Sequence, residues 1–205
     1  MRGYGLLARF RAKSGKEAEV EELLRSALPM VRQEPSTRAW FAIHFRRGEY
    51  GIFDTFRDEA ARTSHLEGPI GTTLQRRTAE LFEAPIAIRK CLLLAQKLPL
   101  ADPLSPDTRA VFLTFKPKQG HELEAEDFLR RAEGYVRKEE RTTAWYALRF
   151  DDGEVGIFDV FPDGKGRMAH LVGRVPFELA RHAVSLVGSV PNMQLPKLIA
   201  EKIAA

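Results

Sequence analysis

The strongest constraint on this chain is that it contains itself twice. Residues 10–68 align without a gap on residues 115–173, each number raised by 105, with 29 identities in 59 positions. Phe10, Gly15, Trp40 and His65 return as Phe115, Gly120, Trp145 and His170, and Gly51-Ile52-Phe53-Asp54-Thr55-Phe56 returns as Gly156-Ile157-Phe158-Asp159-Val160-Phe161. A unit of about 95 residues is too long for a solenoid repeat and suits a small domain. Two such domains on one chain predict a fused homodimer, with boundaries at 1–96 and 109–205. The segment 97–108 between them holds Pro99, Pro103 and Pro106, and such a run reads as a stiff, extended linker.

Each copy carries the same order of elements. A short strand over 4–12 ends at Ser14-Gly15. An amphipathic helix over 16–34 follows, with Val20, Leu23, Leu24, Ala27, Leu28 and Val31 on one stripe; Phe128, Leu129, Ala132 and Val136 repeat that stripe. Two aromatic-rich runs, 40–45 and 50–56, are joined across Arg47-Gly48-Glu49 as a hairpin. A short helix over 58–66 precedes Gly68, which can end it in a left-handed conformation, and Pro69 suits the first turn of a further helix reaching Phe82. A strand over 86–94 closes the unit. In the second copy Pro196 falls in this last strand and confines it to a sheet edge. The pattern β-α-β-β-α-β predicts an α+β chain of two tandem ferredoxin-like units. Apolar residues on both faces of the hairpin strands predict that a second sheet, from the other copy, covers the face the helices leave open.

Composition narrows function mainly by exclusion. The net charge is +4, from 32 basic and 28 acidic residues, but the two signs alternate along the chain. No basic stripe for nucleic acid forms. No apolar run approaches the roughly 18 residues a membrane span needs, and the first eight residues are too short for a secretory segment; a cytoplasmic location is expected. Cys91 is the only cysteine, so a metal would have to rely on His and carboxylates. No His or Cys spacing offers such a site.

The run Phe56-Arg57-Asp58-Glu59-Ala60-Ala61-Arg62-Thr63-Ser64-His65-Leu66, placed after the third strand of a β-α-β-β-α-β unit, resembles the antibiotic biosynthesis monooxygenase family. The resemblance covers each copy in turn. It implies the dimeric α/β-barrel fold, here closed within one chain as a pseudo-dimer that could pair again as a homodimer. It further implies that a small aromatic or quinol-like compound is oxidised by O₂ without metal or flavin, or that the pocket merely holds a small ligand. Haem, bound through a histidine, is the alternative cofactor. Members with oxygenase activity typically carry an Asn on the first strand and a Trp ending the third. Here those positions are Ala8 and Leu113, and Phe56 and Phe161.

His65 and His170 are therefore the leading catalytic candidates, since imidazole exchanges protons near neutral pH; the alternative is a half-buried histidine closing its helix. Asp54 and Asp159 share a strand face with apolar residues, and a carboxylate there must find partners or take up a proton. They are expected to orient the histidines or to brace the fold. Phe56, Phe161, Trp40 and Trp145 are candidate pocket walls or core, and Arg62 and Arg167 either hold an acidic ligand or lie in solvent. His44, His121 and His182 have Arg149, Lys16 and Arg77 as counterparts and cannot be shared catalytic groups.

Overall fold

The computed structural model describes residues 3–98 and 107–203. The first copy runs β1 (Gly3–Arg11), α1 (Glu17–Arg32), β2 (Thr37–Arg46), β3 (Glu49–Phe56), α2 (Glu59–Glu67), α3 (Pro69–Leu81) and β4 (Ala87–Lys97). The second runs β5 (Arg109–Phe115), α4 (Glu122–Val136), β6 (Ala144–Phe150), β7 (Val155–Phe161), α5 (Gly164–Leu171), α6 (Arg174–Leu186), β8 (Asn192–Gln194) and β9 (Lys197–Ile203). The expected order is present in both. Of the linker assigned to 97–108, residues 99–106 lie outside the described residues, and Lys97 still belongs to β4.

The turns follow from local chemistry. Gly48 and Gly153 adopt φ of 73° and 82°, a conformation that only glycine takes without strain, and this tightens both hairpins. Gly68 behaves otherwise. Instead of a left-handed cap it is extended, with φ −77° and ψ −177°, and serves as the residue before α3. Space is the reason for glycine there, because a Cβ would stand 3.0 Å from the Ser64 carbonyl oxygen. Asp58 and Asp163 begin α2 and α5 by accepting from the backbone N–H of Ala61 at 2.8 Å and of Gly166 at 2.7 Å.

The chain divides into two compact units, residues 1–91 with 197–205, and residues 92–196. The repeats and the units thus differ by an exchange of last strands. In the first unit β1 and β2 both pair antiparallel with β3, and β9, from the end of the chain, pairs antiparallel with β2 (Trp40 opposite Lys202). In the second, β5 and β6 pair with β7, β8 pairs with β5, and the residues of β4 beyond Cys91 lie next to β6. Pro196, expected inside one edge strand, instead breaks that strand into β8 and β9. Proline has no N–H for a ladder; its carbonyl still accepts from Ala110 at 3.1 Å before the chain leaves for β2.

Each unit has its own core between sheet and helices. In the first, Trp40, Ala42, Tyr50 and Ile52 meet Val20, Leu24 and Val31 of α1 and Ile70 and Leu74 of α3. In the second, Trp145, Ala147 and Ile157 meet Leu129, Ala132 and Val136. Burying each large apolar side chain is worth about 1.5–3 kcal/mol, so these stripes hold the helices on the sheet. The opposite faces, with Phe41, Ile43, Phe53, Tyr146 and Phe158, are buried as well. Among the described residues no helix is long and apolar enough to cross a membrane.

Candidate active site

A chain of three ionisable side chains, its histidine and aspartate buried and its glutamate half-buried, recurs in both units. His65 lies in the last turn of α2, which places its ring between β3 and the end of α1. Its Nδ1 is 2.7 Å from a Glu34 carboxylate oxygen and 3.3 Å from the Thr37 hydroxyl, which itself donates to Glu34 at 2.8 Å. On the far side of the ring, Nε2 faces Asp54 Oδ2 at 3.4 Å. The second copy repeats the arrangement: His170 Nδ1 to Glu139 at 2.7 Å, Thr142 to Glu139 at 2.7 Å, and His170 Nε2 to Asp159 Oδ2 at 3.7 Å.

A lysine from the exchanged strand fixes the outer end of each chain. Lys202 Nζ donates to the Val31 carbonyl at 2.8 Å and to that of Glu34 at 2.5 Å. Lys97 does the same for Val136 at 3.2 Å and Glu139 at 2.6 Å. These carbonyls lie at and just past the ends of α1 and α4, where they also accept from the backbone N–H groups of Glu34, Thr37, Glu139 and Thr142, and a cation there complements the negative end of each helix.

The electrostatics follow from burial and pairing. Burial pushes the His65 imidazole down, but the carboxylates of Asp54 and Glu34 outweigh it and raise the ring to about 10. His170 is raised for the same reason, against its burial, with Glu139 and Asp159 responsible. Burial likewise pushes Glu34 and Glu139 up, yet the hydrogen bond from each histidine and its charge hold them below the usual carboxylate range. Asp54 is fully buried and raised despite His65; Asp159 is pushed up to about 7 by burial. At neutral pH the first site is an imidazolium held between an ionised outer Glu and an inner Asp whose proton affinity burial raises, and the groups of the second site are shifted in the same directions.

The inner carboxylates have one oxygen to spare. Asp54 Oδ1 and Asp159 Oδ1 are buried without a hydrogen-bond partner, and so are the indole N–H groups of Trp40 and Trp145, which lie directly across the strand ladder. In the first unit a cavity of about 310 Å³ opens beside Asp54 and His65, between the sheet and helices α2 and α3. Its walls are apolar, formed by Leu6, Ala8, Ile52, Ile70 and Leu74 among others, with Gln75 and Thr78 as further polar groups. On the outer flank of His170, Glu139, Arg141, Thr142, Gly173 and Arg174 line a surface cavity of about 430 Å³.

The sequence-predicted residues divide accordingly. Asp54 and His65 line the first cavity, and their counterparts Asp159 and His170 keep the same pairing. Trp40 and Trp145 are fully buried beneath the helices as core. Phe56 and Phe161 pack on the histidine rings, with centroids 5.2 and 5.1 Å away, and so set the ring orientation rather than wall the cavity. Arg62, expected to hold an acidic ligand or to lie in solvent, does not lie in solvent. It is 5% exposed and spans from α2 to the carbonyls of Gly5 at 3.0 Å and Cys91 at 3.1 Å, with Glu59 as counter-ion. Arg167 reaches the Leu195 carbonyl at 3.3 Å. Glu34, Thr37 and their counterparts went unnoticed. The offset of 105 would have found them, since Glu139 and Thr142 are identical repeats. Among the described residues no group of three or more His, Cys, Asp or Glu is arranged to hold a metal ion.

No family model matches the chain, and no curated protein matches it. Solved structures do. A "putative monooxygenase" from Fusobacterium nucleatum superposes with a TM-score of 0.88 at 13% identity, over 98% of this chain and 94% of that one. One of the same description from Lactobacillus acidophilus gives 0.81 at 9% identity, over 99% and 97%. An "anthrone oxidase-like protein" gives 0.67 at 12%, over 99% and 94%. At these identities the likeness establishes the fold, α+β of the dimeric α/β-barrel type, and no more.

Proposed function

We propose that the first copy binds a small aromatic or quinol-like compound in the cavity beside Asp54 and oxidises it with O₂, without a metal or flavin. The unpartnered Asp54 Oδ1 carries this reading, because a buried acceptor on a residue that lines an apolar cavity is left for a ligand hydroxyl or acidic C–H to satisfy. The likeness in fold to proteins described as monooxygenases and as anthrone oxidase-like supports it.

In this reading the roles differ from those expected from the sequence. His65 is already protonated at neutral pH and engaged at both ring nitrogens, so it is not the first proton acceptor. Asp54 takes that part. Its carboxylate removes a proton from the substrate, His65⁺ holds Asp54 in place and offsets the charge that collects there, and Glu34 holds His65. A carboxylate whose pKa burial has raised accepts a proton more readily than an ordinary one. The resulting electron-rich anion reduces O₂. For an anthrone-type methylene the balance is CH₂ + O₂ → C=O + H₂O, which needs no external reductant. Gln75, at the cavity's edge, is the amide available to a substrate oxygen, since the first strand supplies only Ala8. Haem ligation would require a free imidazole nitrogen, and both on His65 are occupied.

Oxygen uptake with a panel of anthrones and hydroquinones tests this reading. Uptake should occur, and Asp54→Asn should lower the rate by about 10²–10⁴-fold, the range of a general base. Thermal stabilisation by these compounds without uptake would assign the cavity to binding alone. The absence of both uptake and stabilisation would overturn the proposal.

A further inference from the structure

The two copies share the Glu-His-Asp chain, but several residues that line the first copy's cavity are replaced in the second. Ala8, Gly71 and Gln75 line the space in the first copy. At the corresponding positions, 105 residues on, stand Leu113, Pro176 and Ala180. Each change removes a feature the first cavity uses. Leu113 puts an isobutyl group where Ala8 has a methyl, and it packs against the core of its own unit. Pro176 puts a pyrrolidine ring where Gly71 has only hydrogen, at a junction so close that a Cβ on Gly71 would come 2.1 Å from the Leu66 carbonyl oxygen. Ala180 removes the amide.

We infer that ligand binding is confined to the first copy, with Ala8, Gly71 and Gln75 as the residues that set its specificity, and that the second copy keeps Glu139, His170 and Asp159 as an internal brace. The inference rests on the reading of the first cavity as the ligand site. A second observation favours it. In the second copy the open space touches His170 from the Glu139 side, where Arg141, Thr142 and Arg174 make it polar and open to solvent. That surface suits water rather than a flat apolar ring.

The occupant implied is a planar, largely apolar molecule with one hydroxyl to offer Asp54 and a second oxygen within reach of Gln75. Such a shape matches the apolar walls, while a charged or polyhydroxylated ligand would leave its polar groups without partners there.

Xenon, which enters dry apolar cavities, reports the space independently of any chemistry. In xenon-pressurised crystals of the full chain, one site should appear beside Ala8 and none beside Leu113. Leu113→Ala should create a site next to Asp159, and Ala8→Leu should abolish the first. Calorimetric titration with 1-naphthol should then give one molecule bound per chain, with affinity reduced at least tenfold in Ala8→Leu. Xenon in both copies, in the second alone or in neither would overturn the confinement. Xenon as expected but no 1-naphthol binding would overturn the reading of the first cavity as an aromatic site and leave the asymmetry of space standing.

Discussion

The first and second copies are best compared where they disagree. Around Asp54 and Asp159 the ionisable groups superimpose residue for residue: Glu34 on Glu139, Thr37 on Thr142, His65 on His170, Lys202 on Lys97. Beside them the agreement ends, at Ala8 against Leu113 and Gln75 against Ala180. The surfaces diverge too. Thr63, Glu67 and Thr72 of the first copy correspond to Met168, Val172 and Phe177, which are exposed at 57%, 80% and 62%. The lesson is that the ionised chain serves the fold first. It ties the end of one helix, the end of another and a central strand together, while the residues that line the first copy's cavity beside it differ in the second.

That comparison is most sharply tested by activity. Asp54→Asn should lose about two to four orders of magnitude in oxidation rate, whereas Asp159→Asn should leave the rate near wild type; equal losses would break the asymmetry. Stability should show the opposite symmetry. His65→Ala or His170→Ala removes the cation between a buried aspartate and a half-buried glutamate, and each should destabilise the chain by about 3–5 kcal/mol in denaturant titration. A much smaller value for His170→Ala would mean that the second copy is not braced in this way.

A pH series sharpens the same point. A histidine raised to about 10 contributes stability that is complete below its unfolded value near 6.5 and is lost as pH climbs through 10. Asp159, raised to about 7, stays protonated in the fold where the unfolded chain has released its proton, so it lowers stability as pH rises from about 4 to 7. Thermal unfolding should therefore fall across both windows, and Asp159→Asn should flatten the lower one. The smallest expected effect is at the threonines. Thr37→Val loses a hydrogen bond to Glu34 and a contact with His65, at about 1 kcal/mol. Thr142→Val loses the bond to Glu139 and should cost slightly less.

Much of this was legible in the sequence, and the residues show why. The helical stripe at Val20, Leu24 and Val31, the glycine hairpin and the acidic helix starts are local signals, and the structure keeps them. Asp54 stood out as a carboxylate on an apolar strand face. Three things were not local. The exchange of β4 and β9 depends on which sheet offers the better neighbour, and Pro196 pointed only to an edge. Arg62 looked like a solvent residue because its partners, the Gly5 and Cys91 carbonyls, are distant in sequence. Glu34 looked like an ordinary charge at a helix end, and only contact with His65 gives it a role. The histidine's protonation state depends on the two carboxylates together, so its part as brace rather than base could not be read from its position alone.

The central claim is that Asp54, held by an imidazolium, is the atom that meets the ligand. A crystal structure of the chain with bound 1-naphthol tests it most directly. The account predicts density in the first cavity alone, with the naphthol hydroxyl within hydrogen-bonding distance of Asp54 Oδ1 and His65 still bridging Glu34 and Asp54. A hydroxyl bound directly to His65, with Asp54 turned away, or density beside Asp159, would contradict it.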